Sequence, residues 1–159
     1  MKVWIGIDNG TSGGIGIIRE DGTYELHHTP VHKEANYTKT KQFLNRVTGK
    51  ELESILKFYP QAKVVIERPM VNPARFRATI SAVRCLEATL IVLELLGLSY
   101  EYIDSKTWQT VLLPAGCEKE ELKVASMSVG KRLFPKANYK GFKDADALLI
   151  AEWARRQDK

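Results

Sequence analysis

The chain begins with short apolar runs and changes further on to apolar residues recurring every three or four positions. VWIGID (Val3–Asp8) and GIGIIR (Gly14–Arg19) have the length and β-branched content of strands. Glu20, Asp21 and Gly22 then supply turn chemistry before a third strand over 23–28, so the chain is expected to open as a three-stranded meander. The stretch 31–38 is polar without a clear period and is read as a loop. Over 40–58, Phe43, Leu44, Val47, Leu52, Ile55 and Leu56 fall near helical spacing, which predicts one helix interrupted only by Gly49.

KVVIE (Lys63–Glu67) predicts a fourth strand, ending on a carboxylate with Pro69 close behind. Residues 80–96 are apolar on more than one face, as in a central or interface helix, and Gly97 stops them. A fifth strand is expected over 98–103, then helices over Ser105–Leu112, 118–133 and 143–156. The helix over 118–133 has acids in its first turn and Lys131 and Arg132 in its last, as the helix dipole favours. The order βββ-α-β-α-β-α-α predicts an α/β domain: a mixed central sheet of about five strands with helices on both faces. With no linkers or repeats, residues 1–159 read as a single domain.

Composition narrows the partners. No apolar run reaches the ~18 residues of a membrane helix, and the first residues lack signal-peptide regions, so a cytoplasmic location is expected. Cys85 and Cys117 form neither a metal spacing nor a disulfide framework. The net charge is +5, which favours an anionic partner. Its distribution is more telling: 68–86 holds Arg68, Arg75, Arg77 and Arg84 and no acid, and 130–143 holds Lys131, Arg132, Lys136, Lys140 and Lys143 and no acid. Stretches of one sign read as phosphate contacts.

The acids at element ends are the candidate chemistry. Asp8 closes the first strand, Glu67 closes the fourth, and Asp144 and Asp146 open the last helix in KDADALLIAEW. If the first and fourth strands are parallel neighbours, Asp8 and Glu67 project from one end of the sheet, where α/β proteins place their sites. Such a cluster fits hard cations with oxygen ligands, and two of them ~3.5–4 Å apart can activate a water and stabilise a leaving oxygen. Other readings stay open for each residue: an Asx turn for Asp8, a salt bridge to a loop arginine for Glu67, a helix cap for Asp144, and a dipole contact for Asp146. His27, His28 and His32 do not form a convincing metal set, because adjacent strand residues face opposite sides. Trp108 is expected to pack its short helix against the sheet.

GIDNGTSGGIGII, VVIERP and DADALLIAEW, in that order, resemble the RuvC-like Holliday-junction resolvases, particularly their bacteriophage members, over nearly the whole chain. The resemblance implies a ribonuclease H-like fold and a homodimer that cuts four-way DNA junctions with two Mg²⁺ or Mn²⁺ ions per active site. It implies metal ligands at Asp8, Glu67 and Asp146. The pattern departs at the fourth ligand, because an acid is expected three residues before the last aspartate, where Lys143 stands; Asp144 is the available substitute. The resemblance also implies a basic residue near the scissile phosphate, matched by Lys123, and an apolar wedge in the loop after Glu67, matched by Met70 or Phe76. Core packing is the alternative for Phe76. Arg68, Arg75, Arg77, Arg84, Lys106, Lys140 and Lys143 complete the expected DNA contacts, and the helix over 80–96 is the expected dimer seam. No small-molecule cofactor or membrane is implied.

Three rival functions share parts of this pattern: a broader flap or branched-DNA endonuclease, a non-catalytic junction-binding protein, and a fragment of an actin-like kinase, whose phosphate loop also reads Gly-x-Asp-x-Gly-Thr. The kinase would need a second glycine-rich loop, which the chain lacks.

Overall fold

The computed structural model describes residues 1–158. Five strands form one mixed sheet in the order β3-β2-β1-β6-β7: β1 (Val3–Asp8), β2 (Gly14–Arg19), β3 (Tyr24–His28), β6 (Lys63–Glu67) and β7 (Tyr100–Ile103). The first three are the expected antiparallel meander. β6 runs parallel to β1 and β7 parallel to β6, with Ile7 opposite Ile66. The strand-end acids Asp8 and Glu67 follow directly on that pair. β6 is buried on both faces, as its unbroken apolar sequence requires.

Helices cover both faces. Ile5, Ile7, Ile15, Ile17, Val64 and Ile66 point into one core with α1 (Gly49–Leu56) and α2 (Phe76–Leu95). The alternate residues Trp4, Ile18 and Val65 point into the other, with α3 (Ser105–Leu112), α4 (Lys119–Leu133) and α5 (Asp146–Gln157). Among the described residues, no helix is long and apolar enough to cross a membrane.

α5 lies unusually close to the sheet, and two glycines allow it. Gly6 and Gly16 sit opposite each other in β1 and β2. A Cβ on Gly6 would come within 2.3 Å of the Ala147 carbonyl oxygen, and one on Gly16 within 2.5 Å of the same residue's backbone. With Ala147 and Ala151 facing them, backbone meets backbone, and the N-terminus of α5 is set over the carboxyl ends of β1 and β6.

Residues 31–58 differ from expectation. The stretch read as loop and the first half of the predicted helix form a separate two-stranded hairpin, β4 (Val31–Ala35) with β5 (Phe43–Val47). Helix α1 begins only at Gly49, after Thr48, whose carbonyl accepts from the amides of Glu51 and Leu52. Phe43, Leu44 and Val47 fit both periods over so short a run, and Gly49 marks the boundary of the helix instead of a flaw inside it. Elsewhere the shifts are at element ends: α2 starts at Phe76 and α5 at Asp146.

Candidate metal centre and nucleic-acid interface

Sequence-distant acids meet at one end of the sheet. Asp8, Asp144 and Asp146 each bring a carboxylate oxygen within 4.8 Å of the others. Glu67 flanks this trio, close enough for its charge to act on Asp8 and Asp146. The loop after β1 makes room for the cluster. Gly10 takes φ of 143°, its carbonyl accepts from the Gly13 amide at 3.0 Å, and a Cβ on Gly13 would lie 2.0 Å from the Asp8 carbonyl oxygen. Asn9 ties the loop to α2 by donating from Nδ2 to the Ala82 carbonyl at 3.1 Å.

Two further side chains orient the acids. Trp108, fully buried on α3, packs against the sheet as expected and also donates from Nε1 to Glu67 Oε2 at 2.7 Å. The alternative left open for Glu67, a salt bridge to a loop arginine, is absent among the described residues: Arg68 pairs with Asp104 at 2.9 Å and stacks over Tyr102. Ser126, buried on α4, donates to Asp146 Oδ1 while its own oxygen accepts from the Ala145 amide at 3.0 Å. Asp144 accepts from the Asp146 amide at 3.2 Å, so it makes the local helix-start contact and belongs to the cluster as well.

Sequence reading missed the roles of Trp108 and Ser126. An indole on the helix that follows a neighbouring strand was visible as a packing residue, but its N–H partner depends on the β6–β7 pairing. For Ser126 only its place three residues after Lys123 gave any signal.

Burial, and the charges of neighbouring acids, raise the proton affinity of Asp8, Asp146 and Glu67. Burial pushes the Asp8 carboxyl well above its usual range, and the charges of Asp146, Glu67 and Asp144 add to this, against a lowering by Lys123. Asp146 is pushed up to about 7 by burial first and by Asp144 next, the Ser126 hydrogen bond opposing. Glu67 is raised by burial, with the Trp108 bond pulling the other way. A half-buried set of repelling carboxylates has an all-oxygen donor character suited to Mg²⁺ or Mn²⁺, and a cation there would remove the repulsion.

The basic candidates lie on the surface. Lys123 is exposed on α4, with its charge acting on Asp8 and Asp146. Arg75, Arg77, Arg84, Lys106, Lys140 and Lys143 are all exposed. Met70 is 66% and Phe76 69% exposed, so Phe76 is no core residue. The structure brings Phe76, Arg77 and Arg84 together along a groove of about 810 Å³ between α2 and the β4–β5 hairpin, with Thr11 also lining it. Lys106 and Lys140 do not line this groove. His27 pairs with Glu25, His28 with the Lys140 carbonyl and His32 with Thr48, so the histidines form no metal group.

The fold defines the class. A five-stranded mixed sheet of this order, with a last helix carrying acids to the ends of two adjacent parallel strands, is the ribonuclease H-like α/β architecture. The chain is similar throughout its length to RuvC of Thermus thermophilus. Against the structure described as T. thermophilus RuvC in complex with Holliday junction substrate, the TM-score is 0.64 at 17% identity, covering 98% of this chain and 96% of that one. Against a second Thermus thermophilus RuvC structure it is 0.59 at 18% identity, with the same coverage. No family model and no curated protein matches the sequence.

Proposed function

We propose that this chain is a structure-specific DNA endonuclease that resolves four-way junctions by metal-dependent phosphodiester hydrolysis. The observation that carries the reading is the meeting of Asp8, Asp144 and Asp146, flanked by Glu67, at the carboxyl ends of β1 and β6 in a RuvC-like fold. These four acids would hold two Mg²⁺ or Mn²⁺ ions. When bound, such ions supply an activated water and charge stabilisation for the leaving oxygen.

The chain's own groups set the geometry around that chemistry. Trp108 and Ser126 each occupy one carboxylate lone pair and so fix which oxygens of Glu67 and Asp146 remain free. Lys123 offers a cation beside the cluster for a non-bridging phosphate oxygen. Met70 and Phe76, in and beside the loop after β6, present apolar surface for an unstacked base at the branch point. Arg68, Arg75, Arg77, Arg84, Lys106, Lys140 and Lys143 contact phosphates, which positions DNA without reading sequence.

Two symmetric incisions in one junction call for a homodimer, and Val83 is exposed on α2 for such a seam. The motifs favour a bacteriophage-type member acting in the cytoplasm of a bacterial host. The test incubates the protein with synthetic four-way junctions, flaps and plain duplex, with and without Mg²⁺. Symmetric, metal-dependent cutting of junctions is expected. Equal cutting of flaps points to the broader endonuclease, and junction binding without any cutting to a silent binding protein. Asp146→Asn should retain junction binding and lose cleavage.

A further inference from the structure

The hairpin formed by β4 and β5 was not foreseen from the sequence, and it builds one wall of a groove whose other wall is α2. Among the α2 residues that line it, Arg77, Ile80, Arg84, Ala88 and Ile91 recur at three- and four-residue spacing and form one continuous stripe. Aromatic side chains stand at both walls without being buried: Tyr37 is 66% and Phe43 76% exposed on the hairpin side, facing Phe76 at the start of α2.

Charge along the groove is nearly of one sign. Arg46, Arg77 and Arg84 line it against a single acid, Glu87. Arg46 is paired with Glu34 at 3.0 Å. Among the described residues, no carboxylate lies within ion-pair distance of Arg77 or Arg84. The Arg84 guanidinium lies 4.9 Å from the centre of the Tyr37 ring, joining the two walls by a cation–π contact.

We propose that this groove binds an unpaired segment of a nucleic-acid strand, its bases against Tyr37, Phe43 and Phe76 and its phosphates on Arg77 and Arg84. Accessible aromatic faces interleaved with cations suit a strand whose bases are unstacked, because stacking tolerates any base and arginines follow the backbone. A duplex arm hides its bases and would leave the apolar wall facing phosphate. A second copy seated here would have to bury the guanidinium groups of Arg77 and Arg84 against a groove that offers a single acid, Glu87. Thr11 borders both the groove and the loop that follows Asp8, so a strand held here would leave toward the acid cluster. The inference rests on the branched-DNA reading and adds to it a holding site for the strand opened at the branch.

The experiment measures fluorescence anisotropy of labelled oligothymidylate, hairpin duplex and four-way junction without Mg²⁺. It compares the wild-type chain with Tyr37→Ala, Phe43→Ala and Arg84→Ala, and follows mass in solution for each. All three side chains are exposed, and circular dichroism verifies folding. Oligothymidylate is expected to bind more tightly than duplex, with about tenfold weakening for each aromatic removed. Duplex binding should change less than threefold on removal of either aromatic, by order of magnitude for a contact a duplex cannot reach. Junction binding that persists while oligothymidylate affinity is absent, or is unchanged in the aromatic variants, overturns the groove site and leaves the resolvase reading intact. Oligothymidylate binding that responds to the variants in a protein that never cuts junctions supports the groove and removes the resolvase reading. A dimer that dissociates on Phe43→Ala without loss of oligothymidylate affinity overturns the proposal in favour of a second copy.

Discussion

Trp108 reaches across from α3 to donate its indole N–H to Glu67 Oε2 at 2.7 Å, joining a fully buried aromatic to the acid that closes β6. The bond lowers the proton affinity of a carboxyl that burial raises, and it fixes the carboxylate's rotation. Trp108→Phe keeps most of the packing and removes only the donor. Mg²⁺ dependence of junction cleavage should then shift to about 10–100-fold higher concentration, with a stability loss of about 1–3 kcal/mol from the buried oxygen left without a partner. Metal titration of the cleavage rate and urea unfolding check the two halves separately. An unchanged metal dependence would show that the indole serves packing alone.

Ser126 plays the corresponding part for Asp146, with one difference. Its hydroxyl is a relay that accepts from the Ala145 amide and donates to Asp146 Oδ1. Ser126→Ala strands both partners at the start of α5. The expected cost is about 1–3 kcal/mol in urea unfolding. Because that bond lowers the proton affinity of Asp146, the acid limb of the pH–cleavage profile should move to higher pH. A destabilised variant with an unmoved acid limb would mean that Ser126 holds α5 but does not tune the acid.

The pattern of elements was legible wherever one period was unambiguous. Strands β1, β2 and β6 and helix α3 fall at their expected residues, because short apolar runs there end at turn residues or carboxylates. The β4–β5 hairpin was not legible: Phe43, Leu44 and Val47 satisfy helical spacing, and what decides their state is cross-strand pairing with β4, which no local pattern encodes. The acids were visible as strand and helix ends. Their convergence followed once β1 and β6 were taken as parallel neighbours, but the hydrogen bonds from Trp108 and Ser126 depend on how α3 and α4 dock. Gly6 and Gly16 carried no sequence signal of their own, although they set the height of α5 over the sheet.

Those glycines make a direct test of how the last helix is placed. A methyl at position 6 would lie 2.3 Å from the Ala147 carbonyl oxygen and 2.4 Å from the Ala151 amide, both backbone atoms that no rotamer change can move. Gly6→Ala should therefore cost about 1–3 kcal/mol or more and displace Asp146 from Asp8. Gly22→Ala provides the comparison: no atom lies within 4 Å of the added methyl, and the strain comes only from φ of 84°. Gly6→Ala should lose metal-dependent cleavage even at a temperature where circular dichroism shows it folded, whereas Gly22→Ala should keep it. Full activity in folded Gly6→Ala would refute the close approach of α5 as the device that assembles the site.

The crowded acids also predict an inverted pH dependence of stability in metal-free protein. An unfolded aspartate titrates near ~4, whereas Asp146 in the folded chain is pushed up to about 7, and Asp8 and Glu67 are raised in the same sense. Between those limits the folded state binds more protons than the unfolded state, so the free energy of unfolding falls as pH rises. The stabilising protonation is fully present below about pH 4 and is lost as pH climbs through about 7; the curve belongs to the cluster as a whole. Chelator-treated protein should therefore show a melting temperature that declines over this window, after allowance for titration elsewhere by comparison with Asp146→Asn. That variant removes the carboxyl raised to about 7 and one of the charges acting on Asp8, so its profile should be flatter. Adding Mg²⁺ should stabilise the wild-type chain most at the upper end of the window, where the carboxylates are ionised and free to bind it. Differential scanning calorimetry at a series of pH values, with and without Mg²⁺, measures all of these. A metal-free melting temperature that rises in parallel for wild type and Asp146→Asn up to pH 7 would show that the acids do not repel one another, and would remove the electrostatic argument for a cation among them.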